Sequence, residues 1–169
     1  MDSINSSEPK ITISGKLVNR ETVFFGIGSK KPDVVFVTEG SKKQIAKDVL
    51  TPDVSCFDSY QSSDFFVSCL KECEINEYYI TGAMKDVFET EDENHMILKL
   101  EIEILRPKLV VALGRKSEKM LLKVKDISPG FRWFEVLPHP SFWLTFYSNE
   151  KNEYVNLLRD IKRKVCAKY

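Results

Sequence analysis

The feature that most constrains the fold is a pair of short, uninterrupted apolar runs, residues 34–37 (Val-Val-Phe-Val) and Leu109–Leu113. Runs of this kind, rich in β-branched residues, are typical of strands that are buried on both faces of a parallel sheet. Each is followed by a turn, at residues 38–41 and at Gly114. Since parallel neighbours need crossover connections, which are usually helices, the two runs predict an α/β fold.

The rest of the chain alternates in the same way. Residues 78–81 and 133–137 complete a set of four predicted strands, and segments of helical periodicity lie between and after them. Such alternation implies right-handed crossovers and helices on both faces of the sheet. We therefore expect one three-layer α/β/α domain over residues 11–169, with a central, mostly parallel, four-stranded sheet and a flexible tail at residues 1–10.

Local signals give further predictions. Ser63 or Asp64 is expected to cap a helix. The acidic run 89–93 is expected to be solvated at the start of the next helix, with His95 exposed and Ile104 inward. The remaining predicted elements are short strands at 11–13 and 22–25, a turn holding Gly26 and Gly28, and helices at 42–50, 116–124 and 152–164.

Composition narrows the functional classes. The chain has 25 basic and 25 acidic residues, so it is not expected to coat nucleic acid non-specifically, although a local basic face remains compatible with this balance. No apolar run approaches the ~20 residues of a membrane span, and the first residues lack the apolar stretch of a signal peptide. We expect an intracellular monomer, cytoplasmic or nuclear, without membrane association.

Two polar loops are predicted to form the functional site. In a parallel sheet the site lies at the carboxyl ends of the strands, where the loops near Thr38, Gly82, Gly114 and His139 begin. The loop after the last strand carries His139, one of only two histidines, between two prolines. We expect the His139 loop to lie opposite the loop at residues 38–41, which carries Glu39, and we expect any catalytic chemistry to take place between these two loops.

Four segments, in order, resemble the uracil-DNA glycosylase superfamily. They are residues 34–41 (VVFVTEGS), 79–85 (YITGAMK), 101–114 (EIEILRPKLVVALG) and 137–141 (LPHPS). The resemblance implies a uracil-DNA glycosylase-like fold and a monofunctional DNA glycosylase. Such an enzyme hydrolyses the N-glycosidic bond of a flipped, deaminated or modified base without a metal or organic cofactor.

The resemblance also implies roles for individual residues. Glu39 matches the acidic position of the branch whose motif is Gly-Glu-x-Pro-Gly, and His139 matches the histidine that hydrogen-bonds the departing base. Gly82 replaces the asparagine that reads the uracil edge, which predicts a substrate other than plain uracil and either an enlarged pocket or a lost contact. Asp86 replaces a cluster cysteine of the iron–sulfur branch, so no such cluster is expected. The expected base pocket consists of Thr38, Gly40, Gly82 and Phe57, and the two aromatic residues Phe57 and Tyr60 are candidates for stacking on the flipped base.

The resemblance and the positions of the strand ends together predict DNA-binding residues. Ser141 is placed to contact a phosphate, and Phe142 and Trp143 to wedge into DNA. Cations that follow strand ends are expected to form a basic rim. The expected DNA contacts outside the wedge are Ser41, Lys42, Lys43, Lys85, Arg115, Lys116 and Ser141.

Each assignment has a plainer alternative. Glu39 precedes a predicted helix and would serve as a turn acid that caps it, and His139 would be tied to backbone in its turn. Phe142 and Trp143 would cover the core, and the cations would be solvated. At the level of the whole chain, the alternatives are a catalytically inactive nucleic-acid-binding module on this fold and an enzyme acting on free nucleotides.

Overall fold

The computed structural model describes residues 10–13, 16–19, 26–40, 57, 59–84, 91–127 and 134–168. Their central element is a five-stranded sheet with helices on both faces. The strands are β1 (Lys10–Ile13), β2 (Lys16–Asn19), β3 (Ile27–Gly28), β4 (Val34–Thr38), β5 (Tyr78–Gly82), β6 (Leu109–Leu113) and β7 (Glu135–Leu137). The helices are α1 (Tyr60–Glu72), α2 (Glu91–Leu105), α3 (Arg115–Ile127), α4 (Pro140–Phe146) and α5 (Lys151–Lys168).

The order of the sheet is β3-β5-β4-β6-β7, and its last four strands are parallel. Every residue of β4 and β6 is buried, as the apolar runs predicted. β3 is an additional, antiparallel edge strand, in which Gly28 pairs with Tyr79 instead of lying in a turn. β1 and β2 form a separate antiparallel hairpin. The predicted α/β class with a mostly parallel sheet is confirmed.

The two faces of the sheet bury separate apolar clusters. Since successive strand residues point to opposite faces, Phe36 and Val111 contact one cluster, which includes residues of α1 and α5. Val35 and Val110 contact the other, which includes residues of α2 and α3. This arrangement is the predicted three-layer α/β/α domain.

The start of α1 differs from the prediction. The capping residue is Ser59, neither Ser63 nor Asp64: its backbone is extended and its Oγ accepts the N–H of Ser62 at 3.2 Å. An extended residue with a short hydroxyl is what an N-cap requires. Ser63 is buried inside the first turn.

The start of α2 is only partly solvated, and the prediction for His95 is wrong. Glu91 is exposed, but the His95 side chain is 4% exposed. Burial lowers the pKa of His95, and the nearby Lys123 ammonium acts in the same direction. Ile104, predicted to face inward, is 61% exposed. Tertiary packing therefore buries polar side chains at the start of this helix and leaves an apolar side chain near its end exposed.

Residues after His139, for which no helix was predicted, form the helix α4. Pro140 occupies the first turn of α4, where a missing N–H costs nothing. His139 is the N-cap residue, with an extended backbone. The predicted strand at 22–25, the predicted helix at 42–50 and residues 1–9 of the tail lie outside the described residues.

Candidate active site

The acidic loop, formed by Thr38, Glu39 and Gly40, lies at the carboxyl end of β4. The Ala83 N–H donates to the Thr38 carbonyl and the Met84 N–H donates to the Glu39 carbonyl, both at 2.8 Å. These bonds extend the parallel pairing of β4 with β5 beyond both strands. The Thr38 Oγ1 accepts the Gly40 N–H at 3.1 Å. The backbone that carries Glu39 is therefore fixed against the neighbouring segment of the sheet.

The Glu39 carboxylate forms an ion pair across the site. Lys116 Nζ lies 3.1 Å from Glu39 Oε1, and the two side chains are 64% and 27% exposed. Lys116 belongs to the first turn of α3, whose dipole also favours a nearby negative charge. The lysine predicted to contact phosphates thus contacts the acidic residue in this structure. The helix that Glu39 would cap in the alternative interpretation lies outside the described residues.

Gly82 does not enlarge a pocket, so that prediction is wrong. A Cβ at Gly82 would lie 2.8 Å from the Gly40 Cα, a distance at which the backbone would have to move. Gly40 has φ +93°, which favours glycine, and a Cβ there would lie 2.8 Å from the Met84 carbonyl oxygen. The backbone of Gly40 fills the space beside Gly82. What remains of the prediction is the absence of a side-chain donor at this position.

The histidine loop, residues 137–141, faces the acidic loop. His139 Nδ1 accepts the Ser141 N–H at 3.0 Å and lies 2.7 Å from the Ser141 Oγ. A backbone N–H can only donate, so this contact assigns Nδ1 as the acceptor and places the proton of the neutral ring on Nε2. The imidazole is thereby oriented as a donor through Nε2.

Phe57 supports the imidazole and is not available for stacking on a base. Its side chain is 1% exposed and belongs to the core cluster on the α1 and α5 face. Its ring contacts His139 edge-on, with ring centroids 5.8 Å apart, and also contacts Phe66 at 5.7 Å. Stacking on a base needs an open ring face, and burial removes it.

Glu39 and His139 line the same cleft. This cleft, at the carboxyl edge of the sheet, has a volume of about 230 Å³. A Cβ added at Gly114 would lie 3.4 Å from the His139 Cβ, so the turn after β6 lies directly beside the histidine. The lining residues are Glu39, Gly40, Leu113, Gly114, Arg115, Lys116, His139 and Ser141. Of the predicted base-pocket residues, Gly40 lines the cleft, whereas Thr38 and Gly82 are buried behind it.

An exposed aromatic surface, formed by Phe142, Phe146 and Tyr147, follows the cleft residue Ser141 in the chain. These side chains are 48%, 66% and 41% exposed. Phe142 contacts Phe146 and Tyr147, with centroid separations of 4.9 and 6.1 Å. Trp143 is half-buried against the core, and its ring contacts Tyr147 with a centroid separation of 4.8 Å. Phe146 and Tyr147 were not predicted to be part of this surface, because no helix was predicted at residues 140–146.

The predicted cations and phosphate contacts divide into two groups. Arg115 and Ser141 are exposed at the edge of the cleft. Ser41, Lys42 and Lys85 lie outside the described residues. Within the described part of the chain, no three or more His, Cys, Asp or Glu side chains are grouped so that they could hold a metal ion. No described helix is long and apolar enough to span a membrane.

Comparison with known proteins agrees with this fold. The structure is similar to that of wild-type Pedobacter heparinus SMUG2, with a TM-score of 0.52 and 15% sequence identity, covering 81% of this chain and 77% of that one. A search of curated protein sequences found no match. A sequence profile described as the uracil DNA glycosylase superfamily matches residues 25–162. This match spans all of the sheet and the cleft, and it supports a DNA glycosylase-type function. The chain belongs to the uracil DNA glycosylase superfamily.

Proposed function

We propose that this protein is a monofunctional DNA glycosylase that removes a deaminated or modified base, other than plain uracil, from a flipped nucleotide. The observation that carries the proposal is the presence of Glu39 and His139 in one cleft at the carboxyl edge of the sheet. A carboxylate can stabilise the positive charge that develops on the sugar in N-glycosidic hydrolysis, and an imidazole N–H can stabilise the departing base.

In the proposed reaction, the acidic loop and the histidine loop would have different roles. Water adds to C1′ as the C1′–N bond breaks, and the bonding electron pair leaves with the base. The Glu39 carboxylate would stabilise the positive charge that develops on the sugar, or orient the water. The Nε2–H of His139 would donate to a base atom on which negative charge develops. After proton transfer from water, the products are a free base and an abasic sugar.

The substrate proposal rests on Gly82. It offers no side-chain donor or acceptor for the edge of uracil, and a site that lacks such a bond cannot discriminate through it. The Gly40 backbone fills the adjacent space, so the proposal does not depend on extra room. Backbone N–H and carbonyl groups of the loops around the cleft would instead form the hydrogen bonds that recognise the base.

DNA is the proposed partner. Arg115 and Ser141 would contact phosphates beside the cleft, while the aromatic surface would contact bases next to the flipped nucleotide. Flipping costs a few kcal/mol, which stacking on exposed rings helps to offset. We propose that the protein acts as a monomer in the cytoplasm or nucleus, where DNA is present.

One observation favours a second candidate, a catalytically inactive DNA-binding module. Lys116 neutralises Glu39 in this structure, and an acidic residue held in an ion pair is less able to stabilise a cation. If DNA does not draw the lysine away, the fold would bind DNA without cleaving the glycosidic bond.

The deciding experiment incubates the protein with duplex and single-stranded oligonucleotides, each carrying one deaminated or modified base. Alkali then cleaves abasic sites, and a gel shows the products. We expect cleavage with at least one modified base and little with uracil. Binding measured on the same oligonucleotides separates the two candidates: binding without cleavage on the whole panel would support the inactive module. Activity on free nucleosides alone would contradict both.

A further inference from the structure

The histidine loop is fixed at three successive carbonyl groups. The Leu137 carbonyl accepts the Gly114 N–H at 2.8 Å, and the His139 carbonyl accepts the Trp143 N–H at 3.1 Å. Between them, the Pro138 carbonyl accepts the hydroxyl of Tyr154 at 2.9 Å. The donors come from the turn after β6, from α4 and from α5. Only the Tyr154 donor is a side chain, so it alone can be removed without altering the backbone.

Tyr154 is itself firmly held. The side chain is completely buried, and burial raises its pKa well above the ordinary value, so the hydroxyl stays a neutral donor. Its ring contacts Phe65, Phe66 and Trp143, with centroid separations of 5.4, 6.3 and 5.4 Å. Trp143 is fixed in turn, because its Nε1–H donates to the Glu150 carbonyl at 3.0 Å. A donor with so little freedom defines the position of the atom it binds.

We propose that Tyr154 is a positioning residue that sets the direction of the His139 imidazole through the Pro138 carbonyl. The carbonyl of Pro138 and the nitrogen of His139 belong to one planar peptide unit. Fixing the oxygen therefore fixes the plane from which the His139 side chain projects into the cleft. The catalytic part of this inference rests on the proposed function, whereas its structural part does not.

The first test replaces Tyr154 with phenylalanine, which keeps the ring and removes the hydroxyl. Small displacements of a reacting group are costly, so kcat for base release should fall roughly 10- to 100-fold. KM and oligonucleotide affinity should change less than about 2-fold, because no DNA contact is removed. The matched control is Tyr79→Phe, which removes another buried hydroxyl, 3.1 Å from Glu101 on the other face of the sheet. It should lower the unfolding midpoint while leaving kcat unchanged.

The second test needs no catalysis. In ¹⁵N spectra of the free protein, the His139 ring should show the shifts of a single tautomer with its proton on Nε2. Tyr154→Phe should move these shifts toward an average of two tautomers or broaden them, and Tyr79→Phe should not. If the His139 signals are identical in wild type and Tyr154→Phe, or if the wild type is active and the variant has the same kcat, the positioning role is wrong. Altered His139 signals in a protein that releases no base from any oligonucleotide would support the positioning role and contradict the proposed function.

Discussion

The acidic loop is held by backbone pairing to its neighbour in the sheet, whereas the histidine loop is held by donors from three separate elements. On the acidic side, the carbonyls of Thr38 and Glu39 each accept one N–H from the segment after β5. On the histidine side, the Pro138 carbonyl depends on a side chain of α5. The acidic loop is thus an extension of the sheet, whereas the histidine loop is held by contacts with the turn after β6, with α4 and with α5.

This difference determines which substitutions each loop tolerates. Backbone pairing at close range leaves no room for a Cβ, so the acidic loop depends on Gly40 and Gly82 being small. The histidine loop depends on particular side-chain donors and ring contacts, which can be removed one at a time. Added bulk should therefore damage the acidic loop, whereas loss of a donor that binds one of its carbonyls should damage the histidine loop.

The largest effect is expected for His139→Ala. If Nε2 stabilises the departing base, base release should fall by roughly 10²–10³-fold, as is typical for one preorganised donor. The alanine also loses the N-cap bond of α4, at about 1 kcal/mol. His139→Asn restores a capping side chain that is too short to reach the base, so the unfolding midpoint should recover without activity. A His139→Asn variant as active as wild type would remove the histidine from the mechanism.

The next effect is expected for Glu39→Gln, which keeps the shape of the side chain and removes its charge. Turnover should fall about 10²-fold, at the low end of what acid–base groups supply, while DNA binding should change little. Single-turnover rates and anisotropy measure the two separately. Equal losses in both, or a loss of thermal stability alone, would favour a structural role for the carboxylate.

Gly82→Ala tests the dependence of the acidic loop on close packing. The new Cβ, 2.8 Å from the Gly40 Cα, should cost roughly 1–3 kcal/mol of unfolding free energy, as overpacking typically does. Ser141→Ala in the histidine loop adds no bulk and keeps the N–H bond to the imidazole, so stability should change by less than about 0.5 kcal/mol. Urea unfolding of both variants is the measurement. Equal stability losses in the two variants would contradict the conclusion that the acidic loop and the histidine loop depend on different kinds of contact.

The smallest expected effect is a loss of stability at low pH, and it should arise from a residue outside both loops. The pKa of His95 is lowered in the folded state from an ordinary value of 6.5, mainly by burial. Between the folded and unfolded pKa values, only the unfolded chain takes up the proton. Stability is therefore fully present above pH 6.5 and declines as the pH falls below it. His95→Gln should flatten this decline in urea titrations at several pH values. An unchanged slope would attribute the acid sensitivity to other groups.

Local sequence predicted the elements whose environment is uniform, and missed those that depend on distant contacts. Residues 34–37 and Leu109–Leu113 are apolar throughout, so a buried parallel strand was the consistent interpretation. His95 lies in an acidic segment, and only packing against other elements shows that it is buried. The helix α4 had a local signal, Pro140 after a capping residue, which the large apolar residues obscured.

The candidate site followed the same rule. Glu39 and His139 were found because motif order and the carboxyl edge of the sheet both indicate them. The ion pair of Glu39 with Lys116 could not be predicted, since the two residues approach only through the fold. Tyr154 lies in the predicted helix 152–164, but its partner Pro138 is 16 residues away and leaves no periodic signal.

The bond from Tyr154 to Pro138 has a consequence for how the protein folds. α5 follows every other described element in the chain, so during synthesis the sheet, the acidic loop and the turn after β6 emerge before the residue that fixes the histidine. A contact cannot form before both of its partners have been synthesised, so the bond from Tyr154 to the Pro138 carbonyl must wait for α5. A nascent chain would thus acquire a nearly complete sheet while its histidine was still free to point elsewhere. Under the proposed function, base release would therefore require α5 to have docked on the sheet.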